Sequence, residues 1–160
     1  MWTASREGPT LYRRHLEEFT AVKTALILID HGSVRAAANE MLELVADRVR
    51  ARGEYDIVRA AHMDLADPTL RQAFDACVAE GAERLVVHPY FLSPGRHSQS
   101  DIPRMTREAA ADHPGVECYM TDPLGVDERI VDLVLARSEQ AIGAGPLDTI
   151  EAQEAETVTR

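Results

Sequence analysis

Cysteines, aromatic residues and basic residues are all scarce in this sequence. Of its 160 residues, two are cysteines and 5% are aromatic, and the cysteines, Cys77 and Cys118, form no CxxC motif. That count argues against a disulfide framework, a thiolate zinc site or an iron–sulfur cluster. The 17 basic residues against 27 acidic ones give a net charge of −10, which disfavours binding to nucleic acid or to an anionic membrane.

Long apolar runs and glycine-rich nucleotide motifs are missing as well. No stretch approaches the roughly 18 to 20 apolar residues of a membrane helix, and residues 1–23 carry arginines and glutamates in place of an apolar signal core. We therefore expect a soluble, cytoplasmic protein. The sequence has no GxGxxG, GxxxxGK(S/T) or GxSxG motif, so it indicates neither a dinucleotide fold, nor a P-loop, nor a serine-hydrolase elbow.

Apolar runs alternate with helical periods along most of the chain, which is typical of a parallel α/β sheet. Residues 24–30 are nearly all apolar, as expected for a central strand covered on both faces. The second helix is predicted to begin at Asp67-Pro68-Thr69, with an acidic N-cap and a proline in its first turn. The predicted strands are 24–30, 56–61, 84–92 and 116–121, and the helices begin near residues 36, 67, 100 and 127.

These units predict one α/β domain, which a chain of 160 residues is long enough to fill. The domain spans residues 24–142 and forms an open parallel sheet of about four strands, with helices on both faces, in a single lobe. Residues 1–23 form an N-terminal arm. Residues 143–160 open on glycine and proline and are acidic, so we expect a mobile tail.

Two histidines follow strand-like runs and are the leading candidates for a functional site. In open sheets with strand order 2-1-3-4, ligands bind at the carboxyl edge between the first and third strands. His31 and His97 belong to the loops after those two strands, so we expect them to converge. Imidazole binds iron, cobalt, nickel and zinc and accepts a proton near neutral pH, so the pair predicts a metal-handling site. For His62 and His88, a structural role with satisfied hydrogen bonds is the favoured interpretation.

Arginines and a serine accompany the two histidines in sequence. Arg35 and Arg96 lie within four residues of them, and Arg104 follows in the next helix. On this acidic chain, such arginines would receive substrate carboxylates, although ordinary solvated arginines explain them equally well. Ser33, between a strand and a helix, fits an anion site, while capping or loop hydrogen bonding is the simpler explanation.

Three aspartates near the strand ends are candidates for orienting an imidazole by hydrogen bonding. They are Asp30, Asp64 and Asp101. Asp101 directly precedes Ile102-Pro103, where the third helix is expected to begin. We therefore favour an N-cap role for Asp101 over a contact with histidine.

Five sequence blocks carry a resemblance to a known family and occur in that family's order. They are Asp30-His31-Gly32-Ser33, Asn39-Glu40-Met41-Leu42, Ala61-His62-Met63-Asp64-Leu65-Ala66-Asp67-Pro68, Pro94-Gly95-Arg96-His97 and Asp101-Ile102-Pro103. Over residues 24–142, the chain resembles the sirohydrochlorin chelatases of the CbiX/SirB type, which are small class II chelatases. The nearest likeness is to the plant-type sirohydrochlorin ferrochelatases.

This resemblance implies a flavodoxin-like lobe that inserts a divalent metal, iron or cobalt, into sirohydrochlorin for siroheme or cobalamin. Ni²⁺ is a further candidate for the metal. The family's two functional histidines map onto His31 and His97, as metal ligands and catalytic residues. Members with one lobe per chain work as homodimers, so the resemblance implies a homodimer here.

The chain departs from the family pattern at three places. Many relatives carry arginine directly after His-Gly-Ser, where this chain has Val34, and Arg35 follows. Plant-type members carry an aromatic residue after the second histidine, where this chain has Ser98. They can also have a cysteine-containing tail that holds an iron–sulfur cluster. The acidic tail here has no cysteine, so no cluster is predicted.

The mechanism we expect places the metal over the macrocycle between two imidazoles. His31 and His97 position Fe²⁺ or Co²⁺, and one of them accepts pyrrole protons as the metal enters. Substrate binding is assigned to Ser33 together with Arg35, Arg96 and Arg104, whose charges offset the substrate carboxylates. The alternative is a noncatalytic carrier of metal or tetrapyrrole on the same fold. A weaker one, based on Gly32-Ser33 alone, is a phosphate- or nucleotide-binding domain.

Overall fold

The computed structural model describes residues 22–146, which form a four-stranded parallel sheet and four α-helices. A short π-helical turn, His97–Asp101, leads directly into the third helix. The four strands are β1 (Thr24–Asp30), β2 (Ile57–His62), β3 (Arg84–Pro89) and β4 (Glu117–Met120). The helices are α1 (Ala36–Arg50), α2 (Leu70–Ala79), α3 (Ile102–Ala111) and α4 (Glu128–Ala144).

The strand order is β2-β1-β3-β4, and every neighbouring pair is parallel. This arrangement confirms the α/β fold class and places β1 at the centre. In the register, Asp30 lies opposite His62 on β2, and Ile29 lies opposite Pro89 on β3. The connection after β1 leads to β2 on one side, and the connection after β3 leads to β4 on the other. The loops after β1 and β3 therefore flank the place where such sheets bind ligands.

Alternate residues of β1 are buried on opposite faces of the sheet, because successive side chains of a strand point in opposite directions. Ile27 and Ile29 belong to one core, which α2 and α3 cover with Phe74 and Ile102 among others. The opposite face, with Leu28, belongs to a second core that α1 helps to form. Helices therefore cover both faces of β1, which explains its nearly unbroken apolar sequence.

The start of α2 differs from the sequence prediction. Thr69, and not Asp67, is the N-cap, and Thr69 and Gln72 form a reciprocal capping box. The carbonyl of Pro68 accepts a hydrogen bond from the His62 amide at 2.9 Å. Pro68 is thus held against the end of β2, and the helix begins only after this contact.

The described residues divide into two units, 22–123 with the whole sheet and 124–146 with α4. In the second unit, the Asp127 side chain caps α4 by accepting a hydrogen bond from the Arg129 amide at 2.9 Å.

Within residues 22–146, no helix has the length and apolarity needed to cross a membrane. Most of the predicted arm and tail lies outside the described residues, so the boundaries at 23 and 142 stay predictions.

Candidate metal site

The loops after β1 and β3 bring His31 and His97 together. The centroids of their imidazole rings lie 5.2 Å apart, with the ring planes at 75°. Both side chains are exposed to solvent. Because metal–nitrogen bonds of imidazole are about 2.1 Å long, a nitrogen of each ring can reach one shared ion. Within residues 22–146, no cluster of three or more His, Cys, Asp and Glu side chains is placed to hold a metal, so the imidazole pair is the candidate.

A hydrogen-bonded turn at the end of β1 holds the backbone around His31. The Asp30 carboxylate accepts a hydrogen bond from the Gly32 amide at 2.9 Å, and the same oxygen lies 2.5 Å from Nδ1 of buried His62. The segment after β2 adds two backbone bonds, from Met63 N–H to the Asp30 carbonyl and from Asp64 N–H to the His31 carbonyl. His62 is therefore buried and hydrogen-bonded, as expected from the sequence, and Asp64 contributes its backbone to this turn.

Asn39 holds Ser33, the residue after Gly32, although the sequence indicated no role for Asn39 beyond its place in one of the family blocks. Its side-chain oxygen accepts the Ser33 amide at 2.9 Å, and its side-chain nitrogen donates to the Ser33 carbonyl at 2.8 Å. The Ser33 hydroxyl oxygen accepts the Arg35 amide at 3.1 Å. The Ser33 amide thus already has a hydrogen-bond acceptor, which counts against a phosphate-binding site at Gly32-Ser33. A polar side chain in the first turn of a helix was the available signal for Asn39.

Asp101 contacts His97 and does not cap α3, contrary to the role favoured from the sequence. Its carboxylate oxygen Oδ2 lies 3.0 Å from His97 Nδ1, and its side chain makes no capping hydrogen bond. The physical reason is that the π-helical turn continues directly into α3, so Asp101 has a helical backbone (φ −72°, ψ −50°), whereas a capping residue has an extended one. The Asp101 carboxylate is therefore available to fix the His97 ring, and Nε2 of that ring is left to bind a ligand.

We predict that Asp101→Ala weakens binding of Co²⁺ by about tenfold, because the His97 ring loses its orienting partner. Isothermal titration of the purified protein with Co²⁺ alone measures this change. Asp112→Ala is the matched control, since Asp112 follows α3 and pairs with Arg71 instead of a histidine. Equal affinities of the Asp101 and Asp112 variants would contradict the assigned role.

Ser98 closes the loop that presents His97. It is 5% exposed, and its hydroxyl oxygen accepts the Gly95 amide at 2.9 Å while lying 3.2 Å from the Gly95 carbonyl. At the position where plant-type members carry an aromatic residue, Ser98 thus forms hydrogen bonds with the backbone of Gly95. Val34, the other departure from the family pattern, is 83% exposed.

The three candidate arginines differ in their surroundings. Arg35 occupies the N-cap position of α1, and Arg96 directly precedes the π-helical turn of His97. Both are exposed, and no residue between 22 and 146 forms an ion pair with either guanidinium. Arg104 instead pairs with Glu108 on the same helix at 2.9 Å. Arg35 and Arg96 are therefore better placed than Arg104 to receive a carboxylate.

His88, on β3, is held by a residue that the sequence did not indicate. Its Nδ1 lies 2.6 Å from the Thr121 hydroxyl, which donates to the Asp122 carbonyl at 2.8 Å. The hydroxyl oxygen can therefore accept a hydrogen bond from His88 Nδ1 while its own hydrogen goes to the carbonyl. Burial lowers the pKa of His88 below its ordinary value.

The lowered pKa of His88 predicts a loss of stability in mild acid. When the pH falls below 6.5, the ordinary pKa of histidine, His88 becomes protonated in the unfolded chain but stays neutral in the folded protein. The free energy of unfolding therefore falls as the pH falls. Above that value the contribution is fully present. Urea unfolding at about pH 7.5 and about pH 5.5 measures the loss of unfolding free energy between the two pH values. This loss should be smaller for His88→Phe than for the unmodified protein. Equal losses would contradict this source.

An open parallel sheet with two imidazoles converging at its carboxyl edge defines an α/β protein with a candidate metal site. The sequence profile of the CbiX family matches residues 25–141. The chain therefore belongs to the CbiX family, and the resemblance found in its sequence blocks is confirmed.

Named relatives agree with this membership. The chain is 42% identical over 117 residues to the chloroplastic sirohydrochlorin ferrochelatase of Arabidopsis thaliana, covering 73% of this chain and 52% of the relative. It is 32% identical over 139 residues to the sirohydrochlorin cobaltochelatase of Methanococcus aeolicus, covering 72% of this chain and 97% of that relative. The chain thus spans about half of the plant protein and nearly all of the Methanococcus one.

A solved structure supports the same fold. The crystal structure of the sirohydrochlorin chelatase SirB from Bacillus subtilis subspecies spizizenii, in complex with cobalt, matches with a TM-score of 0.71 at 28% identity. The match covers 74% of this chain and 51% of SirB. The parallel sheet and helices of this chain are therefore similar to those of about half of SirB.

Proposed function

We propose that this protein inserts a divalent metal, Fe²⁺ or Co²⁺, into sirohydrochlorin, in the biosynthesis of siroheme or cobalamin. The observation that carries the proposal is the imidazole pair of His31 and His97, with ring centroids 5.2 Å apart at the carboxyl edge of the sheet. Relatives named as sirohydrochlorin ferrochelatase and cobaltochelatase support the substrate and the reaction class.

The chemistry of the pair fits metal transfer to a macrocycle. Two imidazoles occupy only part of the coordination sphere of a divalent transition metal, so macrocycle nitrogens can complete it. The pyrrole N–H groups must lose their protons as the metal enters, and an imidazole can accept a proton near neutral pH. His97, whose ring is held at Nδ1 by Asp101, presents Nε2 to the metal. Either His31 or His97 acts as the base.

Positive side chains beside the pair would bind the acidic groups of the substrate. Arg35 and Arg96 each lie within four residues of one of the histidines and are exposed. Arg104 would join them by exchanging its ion pair with Glu108 for a substrate carboxylate, and the Ser33 hydroxyl would donate a hydrogen bond. Bidentate pairing of a planar guanidinium with a carboxylate favours arginine for this task.

A turnover experiment tests the proposal. Purified protein is mixed with sirohydrochlorin in large excess, Co²⁺ or Fe²⁺ is added, and the absorbance change of the macrocycle is followed. A chelatase converts many equivalents of substrate and exceeds the rate without protein. A carrier of metal or tetrapyrrole would stop at one equivalent, and that result would overturn the proposal. Competition between the two metals in the same assay identifies the preferred one.

Three further properties are proposed with this function. The protein works as a homodimer in the cytoplasm, and sedimentation equilibrium giving the mass of one chain would contradict the dimer. It uses no cofactor beyond the substrate metal and holds no iron–sulfur cluster, since Cys77, one of its two cysteines, is buried and a four-thiolate cluster needs four ligating cysteines. Acid-labile sulfide in the purified protein would contradict that statement.

A further inference from the structure

We propose that His62 is a positioning residue of the metal site: its Nδ1–H holds the Asp30 carboxylate, which in turn holds the turn that presents His31. Its effect on metal insertion rests on the proposed function. His62 and Asp30 form a polar pair that the chemistry of insertion does not itself use. His62 is 3% exposed and lies opposite Asp30 in the register of β2 and β1. Its Nδ1 is 2.5 Å from Asp30 Oδ1.

Two donors converge on one oxygen of Asp30. The Gly32 amide donates to Oδ1 at 2.9 Å, and the His62 ring reaches the same atom. A carboxylate has only acceptors, so the hydrogen in this bond belongs to Nδ1 of the imidazole. The Asp30 side chain is 25% exposed, so without His62 it would lose a hydrogen bond in a largely desolvated place. The Asp30 carboxylate would then turn toward water and release the Gly32 amide.

The position of the His31 ring depends on the backbone of this turn, whereas the position of the His97 ring is fixed by a side chain. The His97 ring is fixed directly, by the carboxylate of Asp101 at 3.0 Å. The Nδ1 of His31 has only a 3.4 Å contact, with the carbonyl of the next residue, Gly32, which is too long for a strong hydrogen bond. The position of the His31 ring is therefore set by the backbone on either side of it, at Asp30 and Gly32. His62 supports both.

Two substitutions of His62 separate positioning from packing, because they preserve opposite properties of the side chain. His62→Asn keeps a donor near the place of Nδ1 but loses ring volume. His62→Phe keeps the ring but has no donor. Positioning predicts that the Asn variant binds Co²⁺ within a few-fold of the unmodified protein, while the Phe variant binds about tenfold or more weakly. A packing role predicts the reverse order.

A second readout follows the turn itself, without metal or substrate. Amide hydrogen exchange of Gly32 should be slow in the unmodified protein and in His62→Asn, and faster in His62→Phe. Val58→Ala is the control, since Val58 is a buried residue of the same strand and its truncation lowers stability without touching Asp30. This control should lower the melting temperature while leaving Co²⁺ affinity and Gly32 exchange unchanged.

Co²⁺ affinity and Gly32 amide exchange test the role of His62 separately from the proposed function. If His62→Phe does not fold, His62→Leu replaces it, because leucine has nearly the shape of asparagine without its donor. Slower insertion by the donor-less variant, with rescue by asparagine, supports the proposal. Equal Co²⁺ affinity and equal Gly32 exchange in the Phe or Leu variant and in the unmodified protein would overturn it. If the unmodified protein binds Co²⁺ but inserts none, the proposed function fails, and the affinity and exchange results still decide the role of His62.

Discussion

Replacing His31 or His97 with alanine should slow metal insertion into sirohydrochlorin by about 100-fold or more. Each change removes one of the two imidazoles whose rings lie 5.2 Å apart, and with it either a metal ligand or the group that accepts pyrrole protons. Proton transfer by a positioned side chain alone contributes roughly 10²- to 10⁴-fold to a rate. The initial rate of the macrocycle absorbance change, with Co²⁺ at saturating concentration, measures the effect.

A histidine outside the site provides the control for this experiment. His113 pairs with Asp75 and stacks on Phe74, where α2 meets the segment after α3. His113→Gln should therefore leave the insertion rate within about twofold, as expected for a change away from the reacting groups. Unchanged rates in both the His31 and His97 variants would exclude the pair as the reacting site. Loss in one variant alone would assign the chemistry to that histidine.

Gly32→Ala should lower the free energy of unfolding by about 3 kcal/mol and weaken Co²⁺ binding. Gly32 has a φ of 82°, a left-handed backbone that costs an L-residue roughly 1–2 kcal/mol. An added Cβ would also lie 2.0 Å from the Asp64 carbonyl oxygen and 3.0 Å from the His62 Cβ. The turn must therefore move away from the segment after β2, and His31 moves with it. Urea unfolding and Co²⁺ titration measure the two effects.

Gly53 is the matched control, because it shares the left-handed backbone without the crowding. Its φ is 70°, and a Cβ at this position would meet no atom within 4 Å. Gly53→Ala should cost only the backbone penalty, roughly 1–2 kcal/mol, with no change in Co²⁺ affinity. The difference in unfolding free energy between the two variants then measures the cost of crowding between position 32 and the Asp64 carbonyl. Equal costs at both positions would show that the approach contributes nothing.

The periodicity of apolar residues was sufficient to predict the order and type of the elements. Strands buried on both faces require continuous apolar runs, and residues 24–30 show one because helices cover both faces of β1. The same reasoning placed His31 and His97 at neighbouring strand ends. It was wrong about the start of α2, because the carbonyl contact that holds Pro68 at the end of β2 joins residues that no local pattern links.

Asp101 shows a second limit of local reasoning. An aspartate before Ile-Pro is a good N-cap by composition, but the chain enters α3 through a π-helical turn that leaves Asp101 with a helical backbone. A π-helical turn has no simple sequence signature, so the same aspartate was assigned to the helix and not to His97. The partner of His88 was missed for a similar reason, since Thr121 follows a different strand.

The sequence by itself determined the parallel α/β architecture, the family and the two histidines at the strand ends, because these follow from patterns along the chain. Only the tertiary structure decided how the histidines are supported. The bond between His62 and Asp30 depends on the register of two strands, and the need for glycine at position 32 depends on the approach of Asp64. Such contacts join residues that are distant in sequence, and they exist only once the sheet has formed.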